Sequence, residues 1–262
     1  MTWVCAASTI FGYGALYSDV QVTFANGKTK DLLQKAYPLG DSVAAGFAGS
    51  VKIGFRLLES LSNFLNLPPE DAQRIAWDPS CAKWAPIARA IFNSSEDVER
   101  ALGSRILVVI ASPHEPCGFG AKIYFTRFAS PDFQPGLMSR PIKLCSIGTG
   151  AGVRVYKHRL KQHFRVAAGI NRAEGAKPGG WAEEICSSIS RALTTDPRAG
   201  ISRHVHMLII RRGNVRVGTN NENIYPSVGP RIEIRMPAVA RGYQEFQTMA
   251  ASSGDDFAGA MC

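Results

Sequence analysis

No apolar run in this 262-residue chain approaches the roughly 20 residues that a membrane-spanning helix needs, which excludes a helical membrane protein. The first residues, MTWVCAASTIFGYG, lack the basic n-region and the long apolar h-region of a secretory signal, so the expected compartment is the cytoplasm. Cysteine is sparse. Cys5, Cys81, Cys117, Cys145, Cys186 and Cys262 form no CxxC and stand at no zinc spacing with histidine. Reduced, buried thiols are the expectation, with no metal site. Internal repeats are absent, and no linker divides the chain. Long charge runs are also missing. The net charge of +9 is spread out, with one concentration at Arg154, Lys157, Arg159, Lys161 and Arg165 that reads as a solvated helix face. No recognition motif accompanies it, so nucleic acid is not the expected partner.

What is present is an ordinary globular composition, 45% apolar and 19% charged, enough for a sizeable core. Residues 3–9 and 14–24 are rich in β-branched and aromatic residues and punctuated by Gly12 and Gly14, which predicts two antiparallel strands. A third strand is expected at 42–49. Ile53, Leu57, Leu58, Leu61 and Phe64 recur at helical spacing and predict a helix near 50–64. A second helix falls in 80–100, around Pro86. Strands are expected at 104–112, 120–128, 141–147, 204–212, 214–219 and 231–236, with a Pro/Gly loop at 130–139 and helices near 152–168 and 180–194. Runs of strands alternating with helix pairs suit an α+β protein of two stacked antiparallel sheets with helices on the outer sides. Residues 1–247 read as one domain. The Ala/Ser/Gly/Asp-rich stretch 248–262 reads as a disordered tail.

The candidate chemistry begins at Thr2. A small second residue permits removal of Met1, which would leave an α-amine beside the Thr2 hydroxyl. A Thr hydroxyl needs a base to act as a nucleophile, and an α-amine with an ordinary pKa of about 7.7–8.0 is suited to the task. Alone, Met-Thr carries no information, because many chains start so. Asp19 and Lys35 supply the support. A lysine beside the nucleophile favours the deprotonated forms of amine and hydroxyl, and an aspartate would hold it in place. Asp is depleted in strands, so Asp19 inside a strand pattern weighs against its being an incidental surface residue.

The stretch YSDVQVTFANGKTKDLLQKAYPLGDSVAAGFAGSVKIGF resembles the N-terminal third of proteasome β-type subunits, and is most similar to the bacterial HslV peptidase. Thr2, Asp19, Gln21, Lys35 and Gly46-Phe47-Ala48-Gly49 stand in the matching order. Cys145-Ser146-Ile147-Gly148-Thr149-Gly150 resembles the family's IGSG segment, with Thr149 for the serine. Asp196-Pro197-Arg198-Ala199-Gly200 resembles its aspartate-x-x-serine-glycine turn, with Ala199 lacking the serine hydroxyl. The phrase GISRHVHMLIIRR and the added length resemble the branch known as the betaproteobacterial proteasome homologue. The likeness covers roughly residues 2–220 by element order, with strong motifs only in 2–55 and 145–150.

The resemblance implies a four-layer αββα sandwich, the N-terminal-nucleophile hydrolase fold. It also implies assembly into a homo-oligomeric double ring, an ATP-dependent unfoldase partner, and hydrolysis of peptides or unfolded protein inside a chamber. Thr2 Oγ1 would attack the carbonyl and its α-amine would take the proton. Lys35 would lower the local pKa and Asp19 would pair with it. The Gly46 N–H would donate to the oxyanion, and Thr149 and Asp196 would hold the N-terminus. Gln21, Thr23, Ala48 and Gly49 would line the substrate pocket. A small-molecule amidase of the same fold and a non-catalytic ring subunit are the alternatives, the latter supported only by Ala199.

Other features point less sharply. His204 and His206 alternate along a strand and would face one way, but two ligands do not make a metal site. Gly148-Thr149-Gly150-Ala151-Gly152 could cradle a phosphate, yet it lacks the P-loop lysine and the dinucleotide fingerprint, so no cofactor is expected. The insertion at 66–80, with Trp77 and Trp84 nearby, is a candidate partner contact.

Overall fold

Every residue of the first two strands is buried, the mark of strands covered on both faces. The computed structural model describes residues 2–8, 12–65, 83–117, 120–138, 143–158, 161, 180–198, 200–219, 222–224 and 232–262. Along the chain the strands are β1 (Val4–Ser8), β2 (Gly14–Asp19), β3 (Gln21–Thr23), β4 (Thr29–Asp31), β5 (Ala36–Gly40), β6 (Val43–Gly49), β7 (Ser104–Cys117), β8 (Gly120–Ala129), β9 (Gly136–Met138), β10 (Lys143–Ile147), β11 (Val205–Arg211), β12 (Asn214–Thr219), β13 (Glu222–Ile224) and β14 (Ile232–Ile234). The helices are α1 (Val51–Leu65), α2 (Ala85–Asn93), α3 (Asp97–Ala101), α4 (Gly180–Thr195) and α5 (Tyr243–Ser252). A 3₁₀ turn spans Thr149–Gly152.

Two five-stranded antiparallel sheets carry the molecule, one ordered β10-β1-β2-β11-β12 and the other β5-β6-β7-β8-β9. Strand alternation divides the apolar side chains between the faces. Val4, Ala6, Leu16, Leu208 and Ile210 of the first sheet meet Ala44, Ala48, Leu107, Val109 and Phe125 of the second. The alternate residues Cys5, Ala7, Tyr17, Met207 and Ile209 pack on Ala182, Ile185, Ile189 and Leu193 of α4. On the second sheet, Phe47, Ile106, Val108 and Phe128 pack on Ile53, Leu57 and Leu61 of α1, on Phe92 of α2 and on Phe246 of α5. Helix α1 comes this close because Gly54 has no Cβ: one would lie 2.2 Å from the Phe47 ring. The result is a mixed α/β protein built on antiparallel sheets, and no helix among the described residues is long and apolar enough to cross a membrane.

Several expectations change. The second predicted strand stops at Asp19, and residues beyond it form the separate hairpin β3–β4, because the Asp19 carboxylate accepts the Gln21 N–H at 2.9 Å and diverts the chain. The predicted loop at 130–139 contains β9, and β14 pairs with β13. Of the predicted helix at 152–168, residues 154–158 and 161 are helical; Arg159 and Arg165 lie outside the described residues, as do the insertion at 66–80 and Trp77. Trp84 is buried edge-on against Phe128. The largest correction concerns 248–262. This stretch is an ordered arm: α5 occupies its start, Phe257 packs on the core, and Met261 bridges both Thr23 and Ser50. Ala250, Phe257, Ala260 and Cys262 of this stretch join a core whose other members lie far away in sequence, which average composition does not register.

Candidate active site

The strand register brings four segments to one end of the sheets. Val4 sits opposite Ser18 on β2 and opposite Ile147 on β10. The residues just before β1 therefore lie between the end of β2 and the turn that follows β10. Asp19 donates its backbone N–H to Trp3 O at 3.2 Å. Gly148, at φ 84°, lets the turn after β10 press on Thr2, since a Cβ there would lie 2.4 Å from Thr2 O. Gly150 N–H then donates to Thr2 O at 3.0 Å, and the Trp3 ring stacks on Tyr156 at 5.0 Å.

Thr2 is fully buried, as are Asp19 and Lys35. The Lys35 ammonium has three donors and three acceptors: Thr2 Oγ1 at 2.5 Å, Asp19 Oδ1 at 2.7 Å and Gln21 O at 2.5 Å. Asp19 Oδ1 also accepts from the Gln21 N–H, and Asp19 Oδ2 accepts from the Trp3 N–H at 2.7 Å. Each charge is thus paired and hydrogen-bonded, the condition under which burial is tolerable. Thr149 Oγ1 accepts from Thr2 N at 3.0 Å and donates back to Thr2 O at 3.3 Å. A hydroxyl that accepts from a buried cation is poised to carry negative charge. The arrangement can stabilise Thr2 Oγ1 as an alkoxide or as the oxygen of an ester.

Thr2, Asp19, Lys35 and Thr149 therefore form one cluster, and Gln21 joins it through its backbone. Two expected members do not. Gly46 lies inside the sheet between Ala36 on β5 and Leu107 on β7. A Cβ there would meet Val4 Cγ1 at 2.8 Å and Lys35 O at 3.3 Å. A backbone enclosed by strands on both sides cannot turn a donor toward an oxyanion. Three residues on, Gly49 has φ 107° and lines a cavity of about 220 Å³ with Ala48, Gly148, Thr149, Met261 and Cys262. Its N–H donates to Cys262 O at 2.7 Å. Asp196 is the second correction. Its carboxylate pairs with Arg198 at 3.4 Å, and only its backbone carbonyl reaches toward the site, accepting from Tyr156 OH at 2.7 Å. The turn exposes the Asp196 side chain in part, so solvent and Arg198 compete for it. Ala199 lies outside the described residues.

No family model matches this chain, and no curated protein matches it. The site stands on its own geometry. Thr23 pairs with Met261 through two backbone bonds of 2.9 Å, while the Gln21 side chain turns away from the cluster to Asp31 Oδ1 at 3.2 Å. Asp31 Oδ2 in turn lies 2.5 Å from His204 Nδ1 and 2.6 Å from Ser202 Oγ. His204 and His206 do not act together: His206 is buried in the sheet, and among the described residues neither of its ring nitrogens has a partner. The backbone of Trp3, which fixes Asp19, and the arm at 259–262 are the parts of the site that sequence reasoning missed.

Proposed function

We propose that this protein is a threonine-type peptidase whose nucleophile is the Thr2 hydroxyl, freed by removal of Met1. The observation that carries this reading is the buried Lys35 ammonium shared between Thr2 Oγ1 and Asp19 Oδ1. With Met1 attached, Thr2 N is an amide and cannot act as a base. With Met1 removed it becomes an amine next to Oγ1, placed by Thr149, and can take the hydroxyl proton. Thr2 Oγ1 then attacks a carbonyl carbon, the carbonyl oxygen gathers charge beside the Gly49 N–H, and Lys35 offsets the charge on the attacking oxygen. Collapse expels the amine portion of the substrate, protonated by the α-ammonium, and water completes hydrolysis by the same route in reverse.

A peptide is favoured over a small amide because the cleft between Thr23 and Gly49 accepts an extended backbone, as its pairing with Met261 and Cys262 illustrates. The packing of helices on the outer faces of two stacked sheets is the arrangement expected of the αββα N-terminal-nucleophile hydrolase fold. With that fold we propose assembly into a proteasome-like homo-oligomeric double ring served by an ATP-dependent unfoldase.

The test is intact-mass spectrometry before and after a proteasome-type epoxyketone, a reagent that captures a hydroxyl together with its neighbouring free amine. Loss of Met1 and one adduct on Thr2 is the expected result. Retained Met1, or a free Thr2 that never labels, would overturn the reading.

A further inference from the structure

A segment of the same chain runs between Thr23 and Gly49, the cleft proposed above for a peptide. We propose that the segment Ala260-Met261-Cys262 is a built-in, displaceable occupant of the peptide cleft, bound as an added β-strand where substrate would lie. The proposal rests on the reading of this cleft as a peptide site.

The register carries it. Met261 exchanges two backbone bonds with Thr23, each 2.9 Å; Cys262 exchanges two with Gly49, of 2.8 and 2.7 Å; and Val51 N–H donates to Ala260 O at 3.0 Å. Successive residues thus bond to opposite sides, so the segment lies as a middle strand between β3 and the end of β6. Backbone pairing of this kind accepts any extended peptide, whatever its sequence. The donor proposed for the oxyanion, Gly49 N–H, is occupied by Cys262 O. Cys262 itself is buried, as a substrate side chain next to the reacting carbonyl would be, and it shares its cavity with Thr149, the residue that positions Thr2.

The anchors that hold the arm lie outside the cleft. Lys30 Nζ is 2.5 Å from Asp255 Oδ2, Phe257 packs on the core, and Gly259 N–H donates to Glu99 Oε1 at 3.0 Å. Residues 260–262 meet the cleft through these backbone bonds, and of their side chains only the small Ala260 and Cys262 join the core cluster, so the segment can leave while the tether remains. A tether of this length keeps the occupant at an effective concentration in the millimolar range. The cleft then reacts only from a minor open state, and a population of about 1–10% lowers the observed rate by that fraction.

The experiment compares the full chain with Met261→Pro, which removes the N–H donated to Thr23, and with Asp255→Asn, which loosens the arm from outside the cleft. Two quantities are read on each: the rate of epoxyketone labelling at Thr2, and hydrogen exchange in peptides covering Thr23, Gly49 and Val51, whose amides the arm protects. About tenfold faster labelling in Met261→Pro, with faster exchange at those amides and unchanged protection in β7, is the expected result. Equal labelling rates in wild type and both variants would overturn the occupant while leaving the peptidase reading intact. If none of the three labels, the peptidase reading fails and exchange alone decides the occupant: protection lost in the variants supports it, and protection retained in both refutes it.

Discussion

Lys35 Nζ lies 2.5 Å from Thr2 Oγ1, and neither side chain reaches solvent. The same ammonium neutralises Asp19, so removing it acts on chemistry and on stability at once. Lys35→Met leaves the Asp19 carboxylate buried and uncompensated, which costs about 3–5 kcal/mol. It also removes the cation beside the nucleophile, for which a loss of about 10²–10³ in labelling rate is expected. A double variant separates the two effects. Asp19→Asn combined with Lys35→Met should recover much of the urea midpoint while Thr2 remains unlabelled by epoxyketone. Recovery of labelling in the double variant would mean that Lys35 serves only to balance Asp19.

Gly46 and Gly49 make opposite predictions. A Cβ at Gly49 would sit 2.3 Å from Gly103 O, a backbone atom, at a φ of 107° that L residues rarely adopt. Gly49→Ala should therefore cost at least about 1–3 kcal/mol in strain and distort the N–H proposed for the oxyanion. At Gly46 the tightest contact is Val4 Cγ1, at 2.8 Å, the end of a side chain that can shift. Gly46→Ala should lower the melting temperature yet label at Thr2 within about tenfold of wild type. A normal labelling rate in Gly49→Ala, with a large loss in Gly46→Ala, would return the oxyanion role to Gly46.

The parts of this site visible in the sequence were those fixed by local pattern. Alternation along residues 4–7 separates Val4 and Ala6, which face the second sheet, from Cys5 and Ala7, which face α4. The helical spacing of Ile53, Leu57 and Leu61 marks the buried stripe of α1. Asp19 betrays itself as an acid in a strand pattern. The hairpin β3–β4 was hidden because Val20 and Val22 are both buried, so the apolar alternation runs on through a break made by one carboxylate–amide bond. Gly46 and Gly49 look alike in a GFAG run, and only the positive φ of Gly49 and the pairing around Gly46 tell them apart. The arm was illegible for a different reason. Its order depends on Thr23, Gly49 and Glu99, between about 160 and 240 residues away, and long-range pairing of so short a segment leaves no period to read.

Acid should release the arm. The hydrogen bond from Lys30 holds the Asp255 carboxyl below its ordinary value. A carboxyl with a depressed folded pKa contributes stability at pH values above the ordinary carboxylate range, and the contribution is lost as pH falls through the folded value. The window lies below about pH 4. Exchange at the Thr23 and Gly49 amides should rise there in the wild-type chain. In Asp255→Asn the rise should already be present at pH 7 and should not steepen further in that window. An Asn variant that stays protected at pH 7 would place the tether on Phe257 and Gly259 alone.

His206 sets a separate acid limit on the fold. It is buried on β11 between Ser18 of β2 and Thr219 of β12. Burial, with a smaller contribution from Arg241, lowers its pKa to about 4. The unfolded chain takes up a proton at this residue near pH 6.5, whereas the folded protein resists until about pH 4. The unfolded state therefore binds more protons between these values, and stability falls as pH falls through that window. At about 1.4 kcal/mol for each unit separating the folded and unfolded values, the loss totals about 3 kcal/mol. Urea midpoints measured from pH 7 to pH 4 should decline in the wild type and decline less in His206→Leu, which fills similar space without titrating. The difference between the two curves should open between pH 6.5 and pH 4 and stay constant below. Parallel curves would show that His206 finds a proton acceptor in the folded state and carries its charge there without cost.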